Sequence, residues 1–173
     1  MTAARRARGW RTMVVVAGVL GGSACHPMQF VSDRRLTFTA PVARATIHQL
    51  PVTVSWKMRD FTPTTSTGTG KASGSFAVFV DGPPIKIGHD IKGIASGDKT
   101  CERDPKCPDA AYLADRGIYL TDDPSVTLGA FPSDGGSSHR HTVTVILVDG
   151  SGRRVTESAW HISFNLARGM RNA

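Results

Sequence analysis

Long apolar runs are scarce in this sequence of 173 residues. The apolar run near its start, Met13–Leu20, has roughly half of the ~20 residues that a membrane-spanning helix needs, which disfavours a permanent transmembrane helix. A long helical period of apolar residues is also missing, and this argues against an α-helical fold. The sequence contains no Gly-x-Ser-x-Gly motif and no EF-hand spacing, so it singles out no catalytic serine and no calcium loop.

The first two dozen residues differ from the rest. Four arginines precede the apolar segment Met13–Leu20, and small residues follow it. This order is typical of a secretory signal peptide, which we predict for residues 1–24. Without that segment the net charge falls from +7 to +3, with 17 basic against 14 acidic residues. Such a balance is not the electrostatic footprint of a nucleic-acid-binding protein, so we expect no nucleic-acid partner.

The segment Gly22-Ser23-Ala24-Cys25 resembles the lipobox of bacterial lipoproteins, in which the cysteine receives a diacylglyceryl group and becomes the new N-terminus. Ser23, Ala24 and Cys25 match that pattern, whereas Gly22 stands where the family has a branched apolar residue. The resemblance implies lipidation of Cys25, a lipidated tether over residues 25–35, and an anchor on the outer, extracytoplasmic face of the cell membrane. A signal peptide that merely contains a cysteine, or an uncleaved anchor, is the alternative.

The sequence holds three cysteines, so lipidation of one leaves a pair. Outside the cytosol, Cys101 and Cys107 are expected to form a disulfide that closes a small loop. A zinc site is the competing interpretation, but a second pair of ligands at metal spacing is missing.

Alternating apolar and polar residues predict β-strands, most clearly at 52–59 and 160–167. Five further segments are rich in Val, Ile, Thr or aromatic residues and bounded by turn residues: Leu36–Ala40, Ser75–Asp81, Gly117–Thr121, Ser125–Phe131 and Thr142–Asp149. The turn sequence 149–152 should close a hairpin between the last two strands. We therefore predict an all-β fold, a single antiparallel β-sandwich of about seven strands over residues 36–167, with a tail at 168–173.

Three stretches resemble bacterial immunoglobulin-like domains: 50–56, 76–82, and 141–149 with the turn and Trp160 strand that follow. The resemblance covers most of residues 33–167 and implies an immunoglobulin-like sandwich with Trp56 in its core. The core tryptophan and cross-sheet disulfide of antibody domains are not reproduced as a set, because both cysteines of the pair lie in one loop. This architecture hosts many unrelated functions, so it predicts no particular task.

Residues 88–116 form a long connection that carries the cysteine pair. Pro108–Gly117 within it predicts a short helix, with Asp109 at its positive end and Gly117 as a C-cap. Long loops in compact domains are usually functional or disordered, and a disulfide argues against disorder. We expect a binding surface here, with Tyr112, Arg116 and Tyr119 as its contact residues.

Three histidines allow another interpretation. His139 and His141 are two residues apart, and His161 lies on the expected neighbouring strand, so together they could bind copper or zinc. The competing role for His141 is packing at the core edge near Trp160.

The predicted function is that of a non-catalytic cell-envelope lipoprotein, a binding or structural module for an envelope protein or cell-wall component, without a cofactor. A metal-binding extracytoplasmic protein and a hydrolase are the alternatives.

Overall fold

The computed structural model of the protein describes residues 33–61, 63, 74–131 and 139–167. Within these residues eight strands and one short helix follow one another along the chain: β1 Leu36–Ala40, β2 Thr46–Ile47, β3 Val52–Met58, β4 Gly74–Val80, α1 Ala110–Ala114, β5 Ile118–Thr121, β6 Ser125–Leu128, β7 Arg140–Asp149 and β8 Trp160–Leu166. Within these described residues, every helix is too short or too polar to span a membrane.

The strands form two packed sheets. One has the order β1-β3-β6 and the other the order β2-β8-β7-β4-β5. Every pairing is antiparallel except that of β2, which runs parallel to β8. The predicted all-β sandwich is confirmed, and all seven predicted strands are present with small shifts at their ends. The two-residue strand β2 was not predicted, because two residues are too few to show an alternating pattern.

The main apolar core lies between the two sheets. Trp56 of β3 is one of the two tryptophans of this core and is only 2% exposed. The Trp56 ring meets Phe76 edge to face at a centroid distance of 5.2 Å and Phe38 at 6.4 Å. The inward rows of β3 and β8 supply much of the remaining core, which confirms the expectation that Trp56 is a core residue.

A second apolar cluster covers the outer face of the five-stranded sheet. Ala77 and Phe79 of β4 point away from the main core and join Ile146 and Val148 of β7. The connection between β4 and β5 lies over them and contributes buried residues of its own, including Ile91 and Leu113. Residues 82–117 therefore form a cover on one sheet, and the centre of β4 is buried on both faces.

The turn after β7 forms as predicted. The Asp149 carboxylate accepts hydrogen bonds from the backbone N–H groups of Ser151 and Arg153 at 2.9 and 3.0 Å, and Gly152 adopts a φ of +81°. The returning chain pairs Arg154 with Val148 before residues 155–159 leave the ladder and β8 begins. The hairpin is confirmed, with this short excursion between its two strands.

Candidate binding site

The disulfide Cys101–Cys107 joins two points of the cover segment whose Cα atoms are 5.1 Å apart. The loop that it closes follows a 3₁₀ turn at Ile91–Ala95 and contains a second 3₁₀ turn at Cys101–Arg103. Cys101 is buried whereas residues 102–106 are exposed, so the bridge closes a polar loop at the tip of the segment. The predicted pairing of the two cysteines is confirmed.

The short helix α1 follows the disulfide. Its N-cap is Asp109, whose carboxylate accepts a hydrogen bond from the Tyr112 backbone N–H at 2.8 Å. Gly117, at a φ of +69°, turns the chain out of the helix and into β5, a conformation that favours glycine. The helix and its N-cap are as predicted, but the helix ends at Ala114 with Asp115 as its C-cap, so it is shorter than Pro108–Gly117 and Gly117 is not its C-cap. Its buried Leu113 docks the helix on the outer apolar cluster.

Tyr112, Arg116 and Asp98 form a connected group on this segment. One Asp98 carboxylate oxygen accepts hydrogen bonds from the Tyr112 hydroxyl at 2.9 Å and from the Arg116 guanidinium at 3.1 Å. The guanidinium carbon lies 3.5 Å from the centroid of the Tyr112 ring, within cation–π range. The tyrosine hydroxyl lowers the pKa of Asp98, whereas partial desolvation and the bond to Asp98 raise the pKa of Tyr112. These contacts fix the direction of an otherwise flexible arginine.

An apolar cleft of about 220 Å³ opens beside this group. It lies where the cover segment meets the end of β4 and the start of β5. Among the described residues of its lining, Arg116 is the one that carries a charge, and the others are apolar or small: Phe79, Val80, Gly82, Pro83, Ile85, Ile94 and Ile118. The cleft can take one apolar side chain, with a fixed guanidinium beside it.

Tyr119 does not belong to this surface. It lies opposite Val78 in the β4–β5 ladder and packs, half-buried, against the core between the sheets, where desolvation raises its pKa. The structure thus brings Tyr112 and Arg116 together and places Tyr119 on the other face of the sheet. Ile85 and Ile94 line the cleft but were not predicted as site residues. Their apolar side chains within an otherwise polar connection are a sequence signal that could have identified them.

The three histidines do not converge. His141 is buried, with Nδ1 at 2.6 Å from the Asp81 carboxylate and its ring 4.3 Å from the Phe131 ring centroid. His161 is exposed and pairs with Thr144, whose side chain lies on the opposite face of β7 from His141. His139 is exposed ahead of β7. Within the described ranges, no three His, Cys, Asp or Glu side chains are grouped so that they could share a metal ion.

His141 lies at the edge of the core, which is the role that competed with metal binding in the sequence analysis. Its neighbours, however, differ from the expected ones. The β7–β8 register pairs it with Phe164, whereas Trp160 is paired with Val145, four residues farther along β7. The expected contact with Trp160 is therefore wrong. The Asp81 carboxylate also accepts the Thr142 backbone N–H at 2.8 Å, so the pair ties the end of β4 to the start of β7.

The predicted signal peptide and the lipidation residue Cys25 lie outside the described residues. Of the predicted tether, 25–35, the structure describes the last three residues. Asp33 accepts a hydrogen bond from the Ser158 hydroxyl at 2.6 Å, and its backbone carbonyl accepts the Trp160 indole N–H at 2.7 Å. The chain is therefore fastened to the start of β8 before β1 begins.

Comparison with known proteins gives no match: no family profile, curated protein or solved structure is similar enough to this chain to be assigned as a relative.

Proposed function

We propose that the protein is a non-catalytic binding module of the cell envelope, which holds an apolar side chain of a partner protein in the cleft beside Arg116. The observation that carries this proposal is the cleft itself. It combines an apolar lining with one guanidinium that Asp98 and Tyr112 hold in place. Concave apolar sites with a few oriented polar groups are the common form of ligand sites in proteins.

The charge of the cleft indicates the chemistry of the partner. Arg116 leaves two-fifths of its side chain exposed while it is bound to Asp98. A second carboxylate could therefore approach the same guanidinium, which has five N–H donors. We propose a partner segment in which an apolar residue lies next to Asp or Glu.

The strand order supports an immunoglobulin-like assignment of the sandwich. Constant-type immunoglobulin domains place strands A, B, E and D in one sheet and C, F and G in the other, and variable-type domains add strands to the second sheet. Here β1, β3 and β6 correspond to A, B and E in the smaller sheet, and β4, β7 and β8 correspond to C, F and G in the larger one. Strand β5 pairs with β4, where variable-type domains have an added strand, and it does not take the place of strand D. The core tryptophan departs from antibody domains, because Trp56 lies on β3 and not on the following core strand β4. Such sandwiches commonly bind through the loops at their ends.

We further propose that the domain is anchored through a lipid on Cys25, as its lipobox resemblance implies. The intact mass of the protein extracted from membranes, with and without reduction, tests this anchor. A mass that fits residues 25–173 plus lipid, with a gain of two hydrogens on reduction, is expected. An unprocessed or lipid-free mass would exclude it.

A photo-crosslinking amino acid that replaces Pro83, an exposed residue of the cleft lining, tests the cleft in cells that produce the protein. Thr127, on the outer face of the three-stranded sheet, provides the control position. The expected result is a protein adduct from Pro83 and none from Thr127. Arg116→Gln should abolish the adduct, whereas Arg103→Gln, an exposed arginine near the disulfide, should not. Equal adducts from both positions, or an adduct that survives Arg116→Gln in a folded variant, would contradict the proposal.

A further inference from the structure

The Cys101–Cys107 bridge lies between the two parts of the group that holds Arg116. Asp98, which binds the guanidinium, precedes Cys101 by three residues. Cys107 precedes Asp109, the N-cap of α1, by two residues, and that helix leads directly to Arg116. The bridge therefore joins the turn that supplies the carboxylate to the helix that positions the arginine.

Asp98 depends on the turn around Cys101 for its position. Its carboxylate accepts the Thr100 backbone N–H at 2.9 Å, and its carbonyl accepts the Glu102 N–H at 2.9 Å. Its own N–H donates to the Ala95 carbonyl at 3.0 Å. All three hydrogen bonds are local, so they shape the turn but do not fasten it to the sheet.

Burial fastens this part of the cover segment at one point. Cys101 is the one buried residue of 96–109, whereas Ala95 before that stretch and Leu113 after it are buried as well. Stretches with few buried contacts open locally at a low cost in free energy. Without the bridge, 96–109 would therefore move while the core stays folded, and Asp98 would move with it.

We propose that this disulfide is a redox switch for the cleft beside Arg116. The switch rests on the binding function proposed above and is the regulation of that same site. With the bridge closed, Asp98 holds the guanidinium in place before the partner arrives. With the bridge open, the guanidinium has to be ordered during binding, and the ordering of a flexible side chain weakens affinity. The closed form therefore binds the partner more tightly.

A dithiol is the reductant that opens the bridge. One of its thiolates attacks the sulfur of Cys107, which is partly exposed, whereas Cys101 is buried. A mixed disulfide forms at Cys107, and Cys101 leaves as a thiolate that takes up a proton. The second thiol of the reductant then displaces Cys107. Two electrons and two protons thus pass to the cysteine pair, and the reductant becomes a disulfide.

Hydrogen exchange of the purified full chain, with and without dithiothreitol, tests the structural step. We expect amide exchange across 96–109 to become at least about tenfold faster on reduction, while the amides of β4 and β7 keep their rates within about twofold. Unchanged exchange over 96–109, or an equal acceleration of the two strands, would overturn the switch.

The photo-crosslink from Pro83 to the partner tests the functional step. Cys101→Ser combined with Cys107→Ser keeps the loop open, and the adduct yield should fall about fivefold. Asp98→Asn, with the bridge intact, should lower the yield to a similar degree. Adding the two serines to Asp98→Asn should cause no further loss, because both changes release the same guanidinium.

Glu102→Gln is the matched control, because it removes a carboxylate of the same stretch that forms no ion pair among the described residues. It should change the adduct yield by less than about twofold. If the double serine variant does not fold, Asp98→Asn provides the same readout with the bridge in place.

Equal adduct yields from the closed and open forms would refute the switch and leave the cleft as a binding site. Equal losses in Glu102→Gln and Asp98→Asn would also refute it, since the effect would then be one of charge alone. The absence of any adduct from the parent would instead contradict the binding function, and hydrogen exchange would still decide whether the bridge holds the turn that carries Asp98.

Discussion

Arg154 provides the sharpest test of how the domain is held together. Its side chain is buried although no carboxylate of the described residues pairs with it, and desolvation lowers its pKa. The guanidinium donates to four backbone carbonyls: those of Ile85 and Glu157 at 2.7 Å, Thr156 at 2.9 Å and Ser158 at 3.3 Å. One side chain therefore joins the start of the cover segment to the excursion between β7 and β8.

Arg154→Met keeps much of the side-chain volume and removes every one of these donors. Hydrogen bonds to charged groups each contribute about 1.5–3 kcal/mol, and a buried carbonyl left without a donor costs about 1–3 kcal/mol. Relief of the buried charge offsets part of this loss, and the carbonyls nearest the surface can bind water again. We expect a net loss of about 3 kcal/mol in the free energy of unfolding, equivalent to a fall of about 10 °C in Tm for a domain of this size.

Urea and thermal unfolding, followed by tryptophan fluorescence, measure this loss. Arg153→Met is the matched control, because its neighbouring side chain is exposed and should lose less than about 0.5 kcal/mol. Arg154→Lys should fall between the two, because one ammonium group cannot reproduce the planar fork of the guanidinium. If Arg154→Met were no less stable than Arg153→Met, the carbonyl cluster would not be the clamp that its geometry indicates.

Three other predictions concern stability. Gly74→Ala should destabilise by more than about 2 kcal/mol in urea unfolding, because its Cβ would lie 2.5 Å from the Val148 carbonyl oxygen, whereas Gly150→Ala meets no atom within 4 Å and should be nearly neutral. Hydrogen bonds from Arg35, then from Ser158, lower the pKa of Asp33 despite partial burial, so the stability it provides is complete above its unfolded pKa of about 4 and is lost as the pH falls towards its folded pKa. Asp33→Asn should flatten the Tm-against-pH curve in that acidic range, and an unchanged curve would contradict the assignment. Reduction of the disulfide should cost at most about 2 kcal/mol, since it closes a short loop, and a larger loss would mean that the bridge holds more than the tip of the cover segment.

The strands could be predicted because their side chains alternate. Val52–Met58 and Trp160–Leu166 each present one face to the core and one to solvent, and both were predicted to within one residue of their observed ends. The disulfide followed from counting cysteines, and the start of α1 followed from Asp109. These features depend on neighbouring residues or on composition, and such information is local.

The cleft could not be predicted in this way, because Ile85, Ile94 and Arg116 come together only when the cover segment packs on the sheet. The place of β2 was equally hidden, because it joins β8 through only two residue pairs. Tyr119 was predicted as a contact residue because it follows the long connection, but the alternation of side chains along β5 turns it towards the core between the sheets. The outer apolar cluster did leave a signal, since 76–80 is apolar without interruption, a pattern typical of a strand buried on both faces.

The cover over the five-stranded sheet also limits how this domain can be shortened or engineered. A shortened version that joined the end of β4 to β5 through a tight turn would keep every long strand, yet it would expose Phe79, Ile146 and their neighbours to water. An uncovered apolar sheet face is an aggregation hazard. Residues 82–117 therefore cannot be exchanged freely like the recognition loop of an antibody, and sequence variation for new binding specificity should be confined to their solvent-facing side chains.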